Sequence, residues 1–274
     1  MYDQLPIATI LLIAATCVVS IRAFGNRSLQ DKLIFCPELI LARKEYYRAV
    51  TSAFLHADSR HLIFNMLTLY LFGRNMETVM GIERFLIVYL ASVIGGSLLS
   101  LYLHRNHEYY ALGASGGVCG IVFASIFLFP SGDIFMMFIP VGIPSWLFAI
   151  LFLLGEFVGV RTQRTNIGHD AHLGGAIIGL LTTTAYYPEI VASSPRLYAA
   201  VMGLTLVMFV YFWRNPMHLP FSSFFGERSR QPVPKQKQAP TSAEIDAILE
   251  KVSAQGLDGL SKKERRILKD ASKR

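Results

Sequence analysis

The composition of this 274-residue chain excludes an ordinary soluble domain. Hydrophobic residues make up 53% of it and charged residues only 16%, whereas an average soluble domain has about 45–50% and about 25%. The mean hydropathy is +0.41. We therefore expect an integral, multi-pass membrane protein that has the lipid bilayer as its main partner.

Charge and cysteine content narrow the classes further. The net charge is +7, and the stretch 227–274 holds 12 Lys and Arg against 7 Asp and Glu, so most of the excess lies there. Without a binding motif or interleaved aromatic residues, this pattern favours a solvated tail or a contact with anionic lipid, and no nucleic-acid partner. The three cysteines are scattered and form no disulfide framework, metal spacing or redox motif, so we expect no metal and no cofactor.

Apolar stretches of about 20 residues, the length that crosses a bilayer, recur along the chain. The first follows "MYDQLP", which lacks the basic segment of a signal peptide, and we expect it to be retained as a helix. The pattern predicts an all-α membrane bundle of six spans with a candidate seventh near the C-terminus. The stretches lie roughly at 5–23, 61–80, 85–103, 112–130, 143–160, 171–187 and 196–213.

Composition also divides the chain into a membrane core and C-terminal appendages. Capping-box patterns at Thr241-x-x-Glu244 and Ser261-x-x-Glu264 mark the starts of two short tail helices. The tail carries no recognisable chemistry, so a docking, regulatory or solubilising role stays open. The predicted parts are a core over 1–190, an extra transmembrane or interfacial helix over 191–214, a basic Pro-rich linker over 215–240 and a helical-hairpin tail over 241–274.

Four polar side chains gather at one side of the predicted bundle, and polar groups inside membrane helices are usually functional. His61 and Asn65 stand four residues apart, which puts both on one helix face. Ser115 begins the fourth span, and His172 lies near the start of the sixth. Because the second, fourth and sixth spans run in the same direction, all four side chains are predicted in one leaflet.

These residue types suit acyl transfer. The hydroxyl of Ser115 needs a base to take its proton, and the neutral imidazole of His172 can serve as that base. An oxyanion needs preorganised donors, which the His61 ring, the Asn65 amide and backbone N–H groups at a helix N-terminus can supply. The sequence therefore predicts a serine nucleophile paired with a histidine base.

Glycines predict a close approach of the helices that carry Ser115 and His172. Gly175 and Gly179 follow His172 with the G-x-x-x-G spacing of a tight helix contact. Helix packing alone also explains these glycines, so by themselves they favour no activity. The glycines around Ser115 are Gly113, Gly116, Gly117 and Gly120.

The segment "GASGG" satisfies the G-x-S-x-G pattern of an α/β-hydrolase, but its surroundings contradict that fold. The nucleophile of such an enzyme follows a β-strand, whereas the polar stretch "LHRNHEYYALGA" precedes Ser115 here. Asp170 stands two residues before His172, a spacing that does not bring helical side chains together. We therefore predict a Ser-His dyad, with His169 and Asp170 in a water-exposed loop.

The motifs together resemble those of the rhomboid family of intramembrane serine proteases. The resemblance covers about residues 40–187 and rests on "YYRAVTSAFLHADSRHLIFNMLTLYLFG", "GASGGVCG" and "AHLGGAIIGLL", in that order. It implies a six-helix core, transmembrane protein substrates cleaved near the membrane surface, and a dyad reached by water inside the bilayer. With it we expect an active site near the outer face of the bacterial cytoplasmic membrane.

The resemblance also implies roles for single residues. Ser115 matches the family's nucleophile and His172 its general base. His61 and Asn65 match the pair that stabilises the oxyanion together with the backbone N–H of Ser115. Cys119 stands where many members have an aromatic ring that packs against the catalytic histidine.

Two further signatures lie outside the site. Arg48 matches the Arg of a Trp-Arg pair in the first loop, with Tyr47 in place of the Trp. Glu77 with Gly81 resembles a Glu/Gly signature at the end of the second span.

Alternatives remain at this point. A non-proteolytic rhomboid-like protein that binds or retains transmembrane clients would share the fold, but we would expect it to lack Ser115 or His172. A small transporter would be expected to show internal repeats, and the sequence shows none. If 196–213 spans the membrane, the tail lies outside, and if it lies along the interface, the tail stays inside. The sequence predicts neither the natural substrate nor the oligomeric state.

Overall fold

The computed structural model describes residues 5–135, 141–162, 167–214, 248–253, 260–261 and 264. The chain divides into two compact units, Met1–Phe224 and Phe225–Arg274. Each unit is described by itself.

The first unit is a helical bundle, and each predicted apolar stretch forms a helix within it. A 3-10 turn at Ser52–Phe54 and one small antiparallel hairpin, β1 (Asp133–Phe135) with β2 (Gly142–Pro144), complete the described elements. The helices are α1 (Ile7–Phe24), α2 (Arg27–Leu33), α3 (Pro37–Arg43), α4 (Arg48–Thr51), α5 (Ser59–Met80), α6 (Ile82–His104), α7 (Ser115–Leu128), α8 (Ser145–Thr162), α9 (His169–Tyr186), α10 (Glu189–Ser193) and α11 (Pro195–Arg214).

Length and apolar composition suit four of the described helices to crossing a membrane, namely α1, α6, α8 and α11. The apolar α7 is shorter, with 14 residues. The helices α5 and α9 are longer than α7 but are interrupted by polar and charged residues, such as Arg74 and Glu77 in α5 and Asp170 in α9. The predicted all-α membrane bundle is confirmed, and the predicted site residues lie on α5, α7 and α9, none of which belongs to the group of four.

Glycines set the packing at the centre of the bundle, where α7 lies against α9 and α6. A Cβ on Gly175 would run into the carbonyl oxygen of Gly116, and a Cβ on Gly179 would run into the backbone of Gly120. Because only glycine leaves this space, the helix backbones themselves are in contact. The predicted close contact between the helices of Ser115 and His172 is therefore present.

Glu77 joins α5 to the start of α1. Its carboxylate accepts the backbone N–H groups of Ala8 (2.9 Å) and Thr9 (2.8 Å) and the hydroxyl of Thr9 (2.7 Å). Pro6, the residue before α1, provides no side-chain cap. The N-terminus of α1 is thus capped by a side chain about seventy positions away in the sequence.

Arg48 holds the first loop together and is only 4% exposed. Its Nη1 donates to the carbonyl oxygens of Asp31 (2.8 Å) and Ile34 (2.9 Å), and its Nε pairs with Glu45 at 2.6 Å. The guanidinium also lies over the ring of Tyr47, 5.5 Å from its centroid.

The helix α11 runs along the bundle from one end to the other. Near its start, the hydroxyl of Tyr198 lies 3.0 Å from that of Thr184 in the last turns of α9. Near its end, Tyr211 and Phe212 pack on Phe157 of α8, with ring centroids 5.3 and 5.5 Å apart. Phe157 adjoins Glu156, which contacts the first turn of α9. The helix α11 therefore ends at the end of the bundle where α9 begins.

The second unit contains the hydrogen bonds of one predicted capping box. The backbone N–H of Ser261 donates to the Glu264 carboxylate at 2.7 Å, and the N–H of Glu264 donates to the Ser261 hydroxyl at 3.3 Å. The Thr241 pattern and the predicted linker lie outside the described residues. The helical hairpin itself stays a prediction.

Candidate active site

A cavity of about 640 Å³ opens where the N-terminal ends of α5, α7 and α9 meet. Ser115, His172, His61 and Asn65 all line it. The structure thus brings together the four side chains that the sequence predicted in one leaflet.

Ser115 is the first residue of α7, and the glycine two positions before it shapes its surroundings. Gly113 has a φ of +134°, a conformation that residues with a Cβ rarely adopt. A Cβ there would lie 3.2 Å from Nε2 of His61 and 3.5 Å from Oγ of Ser115. The imidazole and the hydroxyl therefore flank the space that the missing side chain leaves.

The start of α5 fixes His61 and Asn65. Asp58 caps this helix by accepting the backbone N–H of His61 at 2.9 Å, and this hydrogen bond is the main reason that the pKa of Asp58 is lowered. The Asn65 side chain donates one N–H to the carbonyl oxygen of His61 at 3.1 Å. Its second N–H remains to donate into the cavity that it lines.

His56, which is not among the site residues predicted from the sequence, supports this arrangement. The Ser20 hydroxyl donates to the Phe54 carbonyl (2.8 Å), so it accepts from Nδ1 of His56 (3.0 Å). Nε2 of His56 then accepts the backbone N–H of Ala114 (3.5 Å). Burial, and secondarily the neighbouring His61, lower the pKa of His56 to about 3. A neutral His56 therefore positions the residue before Ser115.

His172 lies in the first turns of α9, across the tightest part of the contact with α7. A Cβ on Gly116 would lie 3.2 Å from the carbonyl oxygen of Ala171, so the residues next to Ser115 and His172 touch. No hydrogen bond joins Ser115 to His172 within the described part of the chain. Such bonds in active sites often form at full strength only with substrate present.

Glu156 of α8 contacts His172 on the side away from the cavity. Its Oε1 lies 3.2 Å from Nδ1 of His172, and its Oε2 lies 2.6 Å from Nδ1 of His169. The ligand atoms of these three side chains lie within 4.8 Å of one another, so the cluster has donors that a metal ion could use. Glu156 is not among the site residues predicted from the sequence, although a single carboxylate in an apolar span is a signal that could have marked it.

The prediction that His169 and Asp170 lie in a water-exposed loop is wrong. Both belong to α9, which begins at His169, and Asp170 is only 4% exposed. Oδ2 of Asp170 lies 3.2 Å from Nε2 of His104, and Oδ1 accepts the Tyr109 hydroxyl at 3.2 Å. Because α6 and the loop after it supply these partners, the carboxylate faces them and anchors the start of α9.

Cys119 lies one turn after Ser115 on α7. It is partly buried and packs against the hydrophobic core of the bundle. Where the resemblance implies an aromatic support for His172, this chain instead has a carboxylate in contact with the imidazole.

The fold and the cavity define a multi-pass membrane protein with a serine and two histidines at one cluster of helix ends. Residues 43–189, more than half of the chain, match the rhomboid domain. The chain therefore belongs to the rhomboid family. Residues 235–274 match a family of unknown function (DUF6576).

Relatives come from several lineages. The chain is 30% identical over 178 residues to Rhomboid protein 1, mitochondrial, of Saccharomyces cerevisiae, covering 62% of this chain and 51% of that protein. It is 32% identical over 182 residues to Rhomboid protease GluP of Bacillus subtilis, covering 65% and 34%. It is 26% identical over 203 residues to Rhomboid protease AarA of Providencia stuartii, covering 64% and 69%. The chain spans about half or less of the length of the first two.

Proposed function

We propose that this chain is an intramembrane serine endopeptidase that cleaves transmembrane-segment substrates with Ser115 and His172. The observation that carries the proposal is the cavity lined jointly by Ser115, His172, His61 and Asn65. Membership of the rhomboid family and the protease names of relatives such as GluP and AarA support it.

The length of α7 supports cleavage within the membrane. Its 14 residues rise about 21 Å at about 1.5 Å per residue, which is short of the ~30 Å hydrocarbon core. If the C-terminal end of α7 reaches one edge of that core, Ser115 lies below the other edge. The peptide bond that it attacks then belongs to a transmembrane segment or its margin.

The chemistry follows from the positions of the side chains. His172 takes the proton of Ser115 as Oγ attacks the scissile carbonyl carbon, and the carbonyl oxygen becomes an oxyanion. That oxygen is placed in the space beside Gly113, where His61, the second Asn65 N–H and the backbone N–H of Ser115 can donate to it. His172 then protonates the leaving amine, and water hydrolyses the acyl-enzyme.

The test is proteolysis by the purified full chain in detergent or in liposomes. We expect cleavage of a single-span substrate with a small residue at the scissile bond, and its abolition by Ser115→Ala and by His172→Ala. Ser125→Ala, a matched change at the other end of α7, should leave the rate unchanged. Cleavage by Ser115→Ala at the wild-type rate would refute the assignment, and a chain that binds but never cleaves such segments would favour the non-proteolytic alternative.

We also propose the membrane in which the chain resides. The chain is an integral membrane protein, and we assign it to the bacterial cytoplasmic membrane with the cavity near the outer face. Relatives of the chain include proteins named as mitochondrial and as chloroplastic. Fractionation of the cells that express the chain, with an antibody to the tail, tests the membrane in which it resides.

A further inference from the structure

Glu156 is the one acidic residue of α8, and membrane helices tolerate a carboxylate when it has close partners. The side chain is 12% exposed. It faces α9, where His169 and His172 stand one turn apart on the same helix face. Each carboxylate oxygen therefore meets one imidazole.

The contacts of Glu156 with His169 and His172 differ in length, which suggests separate roles for its two carboxylate oxygens. The hydrogen bond from Nδ1 of His169 is short, at 2.6 Å, and a Cβ on Gly159 would run into the His169 ring. Gly159 thus makes room for the ring beside α8, and the His169 hydrogen bond fixes one carboxylate oxygen. The other oxygen is held 3.2 Å from Nδ1 of His172.

We propose that Glu156 is a positioning residue for His172, an inference that rests on the proposed protease function. By accepting a hydrogen bond from Nδ1–H, the carboxylate selects the tautomer of neutral His172 in which Nε2 carries the lone pair. Nε2 is then the nitrogen available to take the Ser115 proton. The imidazolium that forms when His172 accepts this proton is stabilised by the adjacent negative charge.

The position of Glu156 outside the cavity indicates a positioning residue and not a catalytic one. Ser115 and His172 line the cavity, whereas Glu156 is absent from its lining within the described residues. A substrate in the cavity would contact the imidazole and not the carboxylate. Glu156 therefore acts through His172, and its removal should slow the chemical step without weakening substrate binding.

The first experiment measures kcat and KM for the full chain and its variants with a single-span substrate. Glu156→Ala should lower kcat about tenfold to hundredfold, the effect of losing one charge-assisted hydrogen bond in the transition state, with KM within about twofold of wild type. Glu156→Gln, which keeps one acceptor oxygen but no charge, should have a kcat between those of the wild type and Glu156→Ala. Glu83→Gln, an exposed acid-to-amide change on α6, is the matched control.

Fluorophosphonate labelling of Ser115 gives a second measure that does not depend on substrate binding. The labelling rate should fall in the same order as kcat, while the thermal unfolding temperature of Glu156→Gln stays near that of Glu83→Gln. Wild-type kcat and labelling in Glu156→Ala would overturn the inference. A loss of activity that follows the loss of folded protein would overturn it as well, since the carboxylate would then only join α8 to α9.

A third measurement separates this inference from the proposed function. In protein labelled with ¹⁵N-histidine, the ring shifts of His172, assigned with His172→Gln, should report protonated Nδ1 and unprotonated Nε2, and Glu156→Gln should change this ratio. The opposite tautomer in the wild type would overturn the inference. A wild type that neither cleaves nor labels would refute the protease assignment, while the tautomer would still report the hydrogen bond.

Metal binding is the competing explanation of the same cluster. Zn²⁺ titrated into the Ser115→Ala protein would then bind stoichiometrically, and both His169→Ala and Glu156→Ala would abolish binding. That result would overturn the positioning role. We expect no stoichiometric binding, and we expect His169→Ala to reduce kcat less than Glu156→Ala does.

Discussion

Removal of the Glu77 carboxylate should destabilise the bundle far more than an ordinary change at the end of a membrane helix. Glu77 is 5% exposed, and Ala8 and Thr9, whose N–H groups donate to its carboxylate, are 5% and 0% exposed. In Glu77→Ala, two buried backbone N–H groups lose their acceptor, at about 1–3 kcal/mol each. The expected loss in the free energy of unfolding is therefore about 2–6 kcal/mol.

Matched variants separate the parts of this effect. Thr9→Val removes only the hydroxyl hydrogen bond and should cost about 1 kcal/mol. Glu77→Gln keeps one acceptor oxygen and should lie between Thr9→Val and Glu77→Ala. Glu83→Gln, an exposed change on the neighbouring helix, should stay within about 0.5 kcal/mol of the wild type.

The assay is reversible unfolding in mixed micelles of rising SDS content, followed by far-UV circular dichroism. The double variant Glu77→Ala with Thr9→Val should lose less than the sum of the two single losses, because the hydroxyl bond disappears in both. An unfolding free energy of Glu77→Ala within about 1 kcal/mol of the Glu83→Gln control would refute the capping argument.

Three further outcomes are expected. Gly175→Ala should destabilise the bundle by about 1–3 kcal/mol or more by forcing α9 away from α7. Gly155→Ala, whose Cβ would meet no atom of the described residues within 4 Å, should be neutral or gain up to about 1 kcal/mol. Equal effects would contradict the packing. The folded-state pKa of His56, about 3, lies below its unfolded value of about 6.5. The stabilisation that neutral, buried His56 gives to the folded state is therefore complete above about pH 6.5. It is lost toward pH 3 at up to about 1.4 kcal/mol per pH unit. In unfolding titrations, His56→Gln should flatten this decline, and an unchanged slope would exclude His56 as its source. In a cysteine-free background, Arg214→Cys should react with a membrane-impermeant maleimide on the same side as Arg105→Cys, because α11 crosses the bundle, and opposite sides would place α11 along the interface.

The membrane architecture could be predicted from the sequence because it depends on local properties. About 20 apolar residues in a row form a helix that crosses a bilayer wherever they occur in the chain, and the helices follow the predicted stretches closely. The direction of each span follows from counting the spans before it. That counting was enough to place Ser115, His172 and His61 at one end of the bundle.

The close helix contact at the glycines could also be predicted from the sequence, but only in part. A G-x-x-x-G spacing presents a thin helix face, and Gly175 with Gly179 does lie against α7. The spacing does not say which helix will lie there. The glycines around Ser115, which give its own helix a thin face, are what suggested that helix as the partner.

The partners of the charged side chains, in contrast, were decided by tertiary structure. Asp170 was predicted in water because its spacing from His172 does not let the two side chains meet on a helix, yet His104 and Tyr109 enclose it. Glu156 passed unnoticed because nothing near it in the sequence marks His169 and His172 as its partners.

What the sequence by itself determined is therefore the set of spans, their directions and the end of the bundle at which the polar groups gather. Hydropathy and helical period are properties of a single segment, so they can be read before the chain folds. Which carboxylate meets which imidazole, and which side chain caps α1, depends on the rotation and depth of helices far apart in the chain. Rotation and depth are set only when those helices pack together. This packing brings Glu156 into contact with His172 and brings Glu77 to the start of α1.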